Sequence, residues 1–197
     1  MEKLSFYLVI LINIAIGIRY TTLTIQKRIK PSLAMWVFFT IAVTGSLFSY
    51  LFEGNFTPWD NILNTTDIIL CSSITLVILI FGDNSSRFNK FDTYCLIAVV
   101  FILLFWLFSK AHFATHLGLQ FIQAIAYLPV FQRIIKSRKN TESFATWILL
   151  LTVTLVSLGS SKGVLAFVYS GRAIVCITVL LILMIYFERK NPQNVKL

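Results

Sequence analysis

Long apolar runs separated by short polar gaps make up almost the whole chain. A helix needs about 20 mostly apolar residues to cross a bilayer. Seven runs of suitable length predict spans at 4–24, 32–52, 62–82, 91–109, 114–135, 144–161 and 164–187. The runs are continuous and do not alternate polar with apolar residues, as barrel strands would. The pattern therefore predicts an all-α polytopic membrane protein with seven transmembrane helices.

The first three spans and the last three carry the same landmarks in the same order: a tyrosine, a tryptophan and a cysteine. The corresponding pairs are Tyr20 and Tyr127, Trp36 and Trp147, and Cys71 and Cys176. Three spans per copy with one span between them give a 3+1+3 plan, in which the two copies are parallel. We therefore divide the chain into a triple-helix bundle at 1–90, a linker helix at 91–110, and a second bundle with a short tail at 111–197. Many transporters are built from duplicated bundles, with the substrate site between the copies.

Composition and charge placement agree with membrane insertion. The chain is 57% hydrophobic and only 13% charged, whereas soluble domains carry roughly 25% charged residues. Its net charge of +9 comes from short gaps between the runs, which argues against a nucleic-acid-binding arm. Seven spans put 12 basic residues on one side and 3 on the other. The basic side belongs in the cytoplasm, which predicts an outside N-terminus and a cytoplasmic C-terminus. Short tails favour a bacterial cytoplasmic (inner) membrane.

Enzyme and metal chemistry have little support in the sequence. The three cysteines lie in apolar runs without a disulfide or zinc spacing, and no phosphate-binding loop or nucleophile elbow is present. His112 and His116 share one helix face but lack a third ligand, so we interpret them as interfacial residues. Trp36 and Trp147 each begin a second helix of a copy and are interpreted as interfacial anchors. We expect no catalytic residues, no metal and no cofactor.

Two opposite charges stand at equivalent positions of the two copies. Aligning Cys71 with Cys176 places Asp67 of the third span against Arg172 of the seventh, at matching depth. An isolated charge at that depth costs several kcal/mol unless it meets water or a partner. One hypothesis is that the pair faces a central cavity, as a gate or as the binding site of a zwitterionic or charged solute. The alternative is a static ion pair that joins the two bundles.

Other polar residues within the spans are candidates for the same cavity. Asn13 lies near mid-membrane in the first span, and Gln123 lies in the fifth. A side-chain amide at such depth bonds another helix or lines a cavity. Within the predicted spans Pro129 is the one proline, and it removes a backbone hydrogen bond from its helix. We interpret Pro129 as a hinge, with a tolerated kink near a helix end as the alternative.

The fifth span and its loop read QAIAYLPVFQR and then KSRKNTES, from Gln123 to Ser143. This segment resembles the PQ-loop and SWEET superfamily, whose members combine a proline-glutamine pair with basic residues and a Thr-Glu/Ser turn. The motif covers about 25 residues, and the helix plan covers most of the chain. Here Pro129 is followed by Val130 instead of glutamine. Among SWEET transporters the third helix of each copy carries an asparagine, and Asn64 lies near that place in the first copy.

The resemblance implies a transporter or facilitator of a small polar solute, in which two triple-helix bundles rock within the lipid bilayer. Asn13, Asn64, Asp67, Gln123 and Arg172 would then line the solute site. Asp67 is also a candidate for coupling protons to transport, and homo-oligomerisation is left open. The rival hypothesis is a non-transporting membrane scaffold or assembly factor, with a dry interface between the copies.

Overall fold

The computed structural model describes residues 2–82, 90–140 and 142–190. Within them the secondary structure is helical, as the sequence predicts. The α-helices are α1 (Glu2–Ile25), α2 (Leu33–Glu53), α3 (Ile62–Phe81), α4 (Lys90–Ser109), α5 (His112–Ile125), α6 (Leu128–Ser137), α7 (Phe144–Ser157) and α8 (Val164–Lys190). A short 3-10 helix, Pro58–Asn61, leads into α3. Arg87 and Lys196, which belong to the charge count above, lie outside the described residues.

Helices occupy all seven predicted spans, with two differences. The fifth span is broken into α5 and α6 by a turn at Ala126 and Tyr127. Pro129 is the second residue of α6, where its missing N–H cannot continue the bonding of α5. The second difference is at α7, which ends at Ser157, four residues before the predicted end of the sixth span.

Among the described residues, four helical segments are long and apolar enough to cross a membrane: Glu2–Ile25, Leu33–Glu53, Pro58–Phe81 and Val164–Lys190. Two shorter apolar helical segments are Leu96–Ser109 and Phe144–Ser157. Large apolar side chains project from the outside of the bundle, including Phe108, Ile80 and Ile69. A surface of this kind is compatible with lipid as its surroundings.

The arrangement of α1 is the reverse of that in a helix of a soluble protein, because polar residues are among its buried residues and large apolar residues are exposed. Its buried residues recur every three or four positions and include polar ones, namely Ser5, Val9, Asn13, Ile16, Tyr20 and Thr24. Leu4, Leu11 and Ile18 on other faces are more than half exposed. Ser5, Asn13 and Thr24 of α1 therefore point toward the other helices, whereas its charged side chains are exposed.

Seven of the helices pack side by side in a closed ring, in which α5 and α6 follow one another and occupy a single position. α1 packs on α3, α3 on α2, α2 on α5, α5 and α6 on α8, α8 on α7, and α7 on α1. α3 also reaches across the ring to α7 and α8. α4 lies outside the ring, against α5 and α2. The ring leaves an interior that several helices share.

Two loops meet at one end of the ring, which we call the Lys162 end. Lys162 Nζ lies 2.9 Å from Asp60 Oδ1 and 3.2 Å from Glu2 Oε1. The Lys162 N–H donates to the Asp60 carbonyl at 2.9 Å, and the Tyr50 hydroxyl donates to the Lys162 carbonyl at 2.9 Å. Phe56 stacks on Tyr50 with ring centroids 4.7 Å apart. These contacts tie the α2–α3 loop to the α7–α8 loop.

The backbone of Gly163 makes this junction sensitive to a single methyl group. Gly163 has a φ of +78°, and a Cβ there would lie 2.7 Å from Phe56 Cζ. Gly163→Ala is expected to lower the free energy of unfolding by about 1–2 kcal/mol. The matched control is Gly171→Ala within α8, where a Cβ would meet nothing within 4 Å. The control is expected to be neutral or to stabilise by up to about 1 kcal/mol. Thermal unfolding in detergent measures both, and equal effects would contradict the strain at Gly163.

Candidate functional site

A cavity lies inside the ring, bounded by α2, α3, α5, α7 and α8. The space between its lining residues is about 490 Å³, part of it open to the surroundings, and about 50 Å³ of it can be occupied by the centre of a water molecule. One water needs roughly 10–15 Å³ of the latter kind of space. In this conformation the cavity therefore has room for a few waters. Its polar lining includes Asp67, Gln123, Thr154, Tyr169 and Arg172, and its aromatic lining is Trp36, Phe39, Tyr127 and Trp147.

Asp67 is held by donors from two other helices. Asn13 Nδ2 on α1 donates to Asp67 Oδ1 at 3.1 Å, and the Tyr169 hydroxyl on α8 donates to Asp67 Oδ2 at 2.7 Å. The same Asn13 nitrogen also lies 2.6 Å from Thr66 Oγ1. Each carboxylate oxygen thus has one protein donor. A carboxylate can accept more bonds than these two, so Asp67 has acceptor capacity left for another donor.

Arg172 is held by two amides of α5. Arg172 Nε donates to Gln120 Oε1 at 3.2 Å, and Arg172 Nη2 donates to Gln123 Oε1 at 2.6 Å. Its guanidinium carbon lies 5.0 Å from the centre of the Tyr169 ring, within the range of a cation–π contact. No ion pair within 4 Å joins the Asp67 carboxylate to Arg172, although the structure describes both side chains. Tyr169 instead contacts both charged groups.

Two buried atoms beside these charged groups have no protein partner: Asn13 Oδ1 and Gln123 Nε2. The first is an acceptor next to Asp67, and the second is a donor next to Arg172. A buried polar atom without a partner costs about 1–3 kcal/mol. Gln123 lines the cavity, so its Nε2 indicates where water or a ligand would complete the bonding.

A second polar cluster lies next to Arg172, between α2 and α5. Gln120 Nε2 donates to Ser46 Oγ at 2.7 Å and lies 3.3 Å from His116 Nε2. His116 Nδ1 lies 3.2 Å from Ser49 Oγ, and the whole imidazole is buried. The interpretation of His116 as an interfacial residue is therefore wrong, because its polar partners are in the interior. His112 instead accepts a 2.7 Å hydrogen bond from Trp106 and stacks on Phe52. In the described parts of the chain, no three His, Cys, Asp or Glu side chains gather as a metal site.

The opposite end of the ring, which we call the Glu142 end, contains a buried hydrogen-bond network. Glu142 precedes α7 and is only 5% exposed. Its Oε2 accepts from the Tyr20 hydroxyl at 3.0 Å and from Trp147 Nε1 at 3.3 Å. Trp36 Nε1 in turn donates to the Tyr20 hydroxyl oxygen at 3.2 Å. One carboxylate therefore links aromatic residues from the first and last parts of the chain.

The two tryptophans are interior residues, so the interpretation of them as interfacial anchors is wrong. Trp36 and Trp147 are 2% and 1% exposed. The ring of Trp36 lies 5.0 Å from Tyr20, and that of Trp147 lies 5.9 Å from Tyr127, between centroids. Both tryptophans line the cavity. Their position near a helix start suggested the interface, but their N–H groups find partners inside.

The structure brings together most of the residues predicted to form a site. Asp67, Gln123 and Arg172 line one cavity, and Asn13 bonds to Asp67. Asn64 does not join them: it is buried against α2, with its amide 3.3 Å from Ser46 Oγ. The proposed hinge residue, Pro129, lies at the break between α5 and α6.

Sequence reasoning missed two residues that complete these arrangements. Tyr169 stands three residues before Arg172, which puts both on one helix face, and this spacing could have indicated it. Glu142 entered only as part of the family-like turn. It is the one acidic residue in a basic loop, but nothing in the spacing indicates that it folds back between α1 and α7.

The chain was compared with family models, curated proteins and solved structures, and none of them matches. Any inference about function therefore rests on the geometry of the chain itself.

Burial raises the pKa of Glu142 from 4.5 to about 7, although hydrogen bonds from Trp147 and Tyr20 oppose the shift. A folded pKa above the unfolded value means that the folded state binds more protons. The stability that this group contributes is complete below about pH 4.5 and is lost as pH rises through about 7.

Glu142→Gln is expected to remove this part of the pH dependence, because the amide oxygen still accepts hydrogen bonds without titrating. Wild-type protein should lose on the order of a few kcal/mol at most between about pH 5 and about pH 8, and the variant should lose less. Thermal unfolding across that range in detergent measures the difference. The control is Glu53→Gln, which removes an exposed carboxyl and should leave the slope unchanged. Parallel pH profiles of wild type and Glu142→Gln would contradict the assignment.

Proposed function

We propose that the protein is a membrane transporter or facilitator of a small polar solute. The observation that carries this proposal is the convergence of Asp67, Gln123 and Arg172, from three different helices, on one cavity. A charge in the bilayer interior costs about 3 kcal/mol or more. A chain that serves only as a membrane anchor has no need of two such charges facing an internal cavity. Opposite charges around a cavity between helices are typical of a pathway for polar solutes.

We further propose that α1–α3 and α5–α8 are two parallel copies of a triple-helix bundle, with α4 as the linker. The starts of α2 and α7 support this, because each helix is capped by a serine four residues before its tryptophan. Ser32 and Ser143 have φ, ψ of −84°, 113° and −86°, 113°. The helix order around the ring also supports it. The proposed counterparts are α1 and α5–α6, α2 and α7, and α3 and α8. If each helix is exchanged for its counterpart, the same pairs of helices are neighbours in the ring.

In the proposed mechanism the two bundles rock about the cavity, so that the Lys162 end and the Glu142 end open in turn. The available space of about 50 Å³ is too small for a solute larger than a few waters, so the described conformation is not a solute-filled state. The hydrogen bonds and ion pairs that join the bundles differ between the two ends, so one set can break while the other persists. The break between α5 and α6 at Pro129 gives the second bundle a point at which to bend.

For orientation, we propose that the Glu142 end faces the cytoplasm and the N-terminus faces outward, in a bacterial inner membrane. The supporting feature is the excess of basic residues near the Glu142 end. Arg133 there donates to the Lys30 carbonyl, which joins the α1–α2 loop to α6. Asp67 is the residue proposed to couple protons if transport is coupled to them.

A non-transporting scaffold is the second candidate, and one observation favours it. The polar residues of the interior are largely bonded to each other, as Arg172 is to Gln120 and Gln123. A dry, static interface between the bundles would have the same property. The two candidates differ in whether water and solutes ever reach the cavity.

Thiol labelling in membranes distinguishes these functions. Val153 lines the cavity and is 0% exposed, whereas Val179 is 47% exposed on the outside of α8. We would introduce Val153→Cys or Val179→Cys after replacing the three native cysteines with alanine. The reagent is a small, permanently charged methanethiosulfonate, which partitions poorly into lipid. The cavity described above is too narrow for it, so labelling of Val153→Cys requires the bundles to open.

A transporter should show labelling of Val153→Cys and little labelling of Val179→Cys, because the reagent is excluded from lipid. Both variants should label fully after denaturation, which controls for thiol reactivity. An unreactive Val153→Cys in the native membrane would contradict transport and favour the scaffold.

A further inference from the structure

Charged groups of opposite sign stand on different walls of the cavity. On the α3 wall the Asp67 carboxylate accepts hydrogen bonds, and Asn13 of α1 is bonded to it. On the α5–α8 wall stand the Arg172 guanidinium and the unpartnered Gln123 Nε2, which both donate. We propose that the solute is an amino-acid-like zwitterion, with its ammonium group toward Asp67 and its carboxylate toward Arg172. This inference rests on the proposed transport function and names its substrate class.

The acceptor wall fits an ammonium group. Asp67 uses one bond on each oxygen, from Asn13 and Tyr169, and has capacity for more. The side chain of Asn13 already donates its N–H bonds to Thr66 and Asp67, so its oxygen is left as an acceptor. An ammonium group brings three donors and a positive charge, which would bond to Asp67 and compensate its charge.

The donor wall fits a carboxylate. Arg172 bonds to the two glutamines through Nε and Nη2, and a guanidinium has five N–H donors in all. Gln123 turns its oxygen toward Arg172, which leaves its buried NH₂ group as a donor. A planar carboxylate is the group that a guanidinium fork binds best. The two walls together would bind a solute that carries both charges.

The rest of the lining indicates an apolar side chain on that solute. Trp36, Phe39, Tyr127 and Trp147 form an aromatic part of the same cavity. A sugar would leave both half-buried charges without a counter-charge. An amino acid with an aromatic side chain would place its charges and its apolar part in matching surroundings.

A series of analogues tests the substrate class on wild-type protein. The probes are phenylalanine, phenylalaninamide, 3-phenylpropionate and glucose, each added to purified protein in detergent during thermal unfolding. Phenylalaninamide lacks the carboxylate, and 3-phenylpropionate lacks the ammonium group. Phenylalanine should raise the unfolding temperature, with an affinity roughly tenfold to a hundredfold above that of either analogue. Glucose should have no effect.

Two charge variants then assign the walls. Asp67→Asn should weaken phenylalanine roughly tenfold or more while retaining the binding of 3-phenylpropionate. Arg172→Gln should weaken phenylalanine similarly while retaining the binding of phenylalaninamide. The matched controls are Glu53→Gln and Arg19→Gln, which remove exposed charges of the same sign. Neither control should change the affinity. Because the analogue series uses wild-type protein, the test does not depend on the variants folding.

Combining this series with the thiol labelling separates the two proposals. Binding of glucose, or equal binding of phenylalanine and an analogue lacking one charge, would overturn the zwitterion while transport still stands. The same holds if no probe binds but Val153→Cys reacts. If no probe binds and Val153→Cys is unreactive, both proposals fail.

Discussion

The cost of charge in an apolar interior governs the arrangement of this protein. Asp67 and Arg172 lie inside a bundle whose outer surface is largely aliphatic and aromatic, so their charges have to be compensated by other helices. Asn13, Tyr169, Gln120 and Gln123 provide that compensation. These partners come from α1, α5 and α8. Their hydrogen bonds join α3 to α1 and α8, and they join α8 to α5. The ring is therefore held by inward polar bonds as well as by packing, while its apolar side chains face outward.

The described helices could be predicted from the length of the apolar runs, because a run suited to a membrane has to form its backbone hydrogen bonds within itself, which a helix does. The predicted alignment of two copies placed Asp67 against Arg172, and the structure has both residues in the lining of one cavity. The partners of Trp36, His116 and Asn64 did not, because the rotation of a helix about its own axis depends on contacts with helices distant in sequence. Most faces of these helices are apolar, so periodicity alone could not indicate which face points inward.

The two proposed copies are similar in backbone but differ in chemistry. A serine cap and a tryptophan begin both α2 and α7, yet Asp67 in one copy faces Arg172 in the other. Tyr20 bonds to Glu142 in the loop of the other copy. If the two bundles were identical, the same charge would stand at this position in both. Because one has Asp67 and the other Arg172, the cavity has an acceptor wall and a donor wall. The polarity of the cavity follows from this asymmetry.

The two ends of the ring are closed by different kinds of bond. At the Lys162 end the ammonium group is about half exposed, and its attraction to Asp60 and Glu2 acts partly through water. At the Glu142 end the carboxylate is buried among tyrosine and tryptophan side chains. Dissolved ions weaken the attraction between exposed charges, with a screening length of about 10 Å at 0.1 M salt, and affect buried bonds far less. Rising ionic strength therefore weakens the contacts at the Lys162 end and leaves those at the Glu142 end almost unchanged, so under the proposed rocking mechanism the salt content of the medium would influence which end opens.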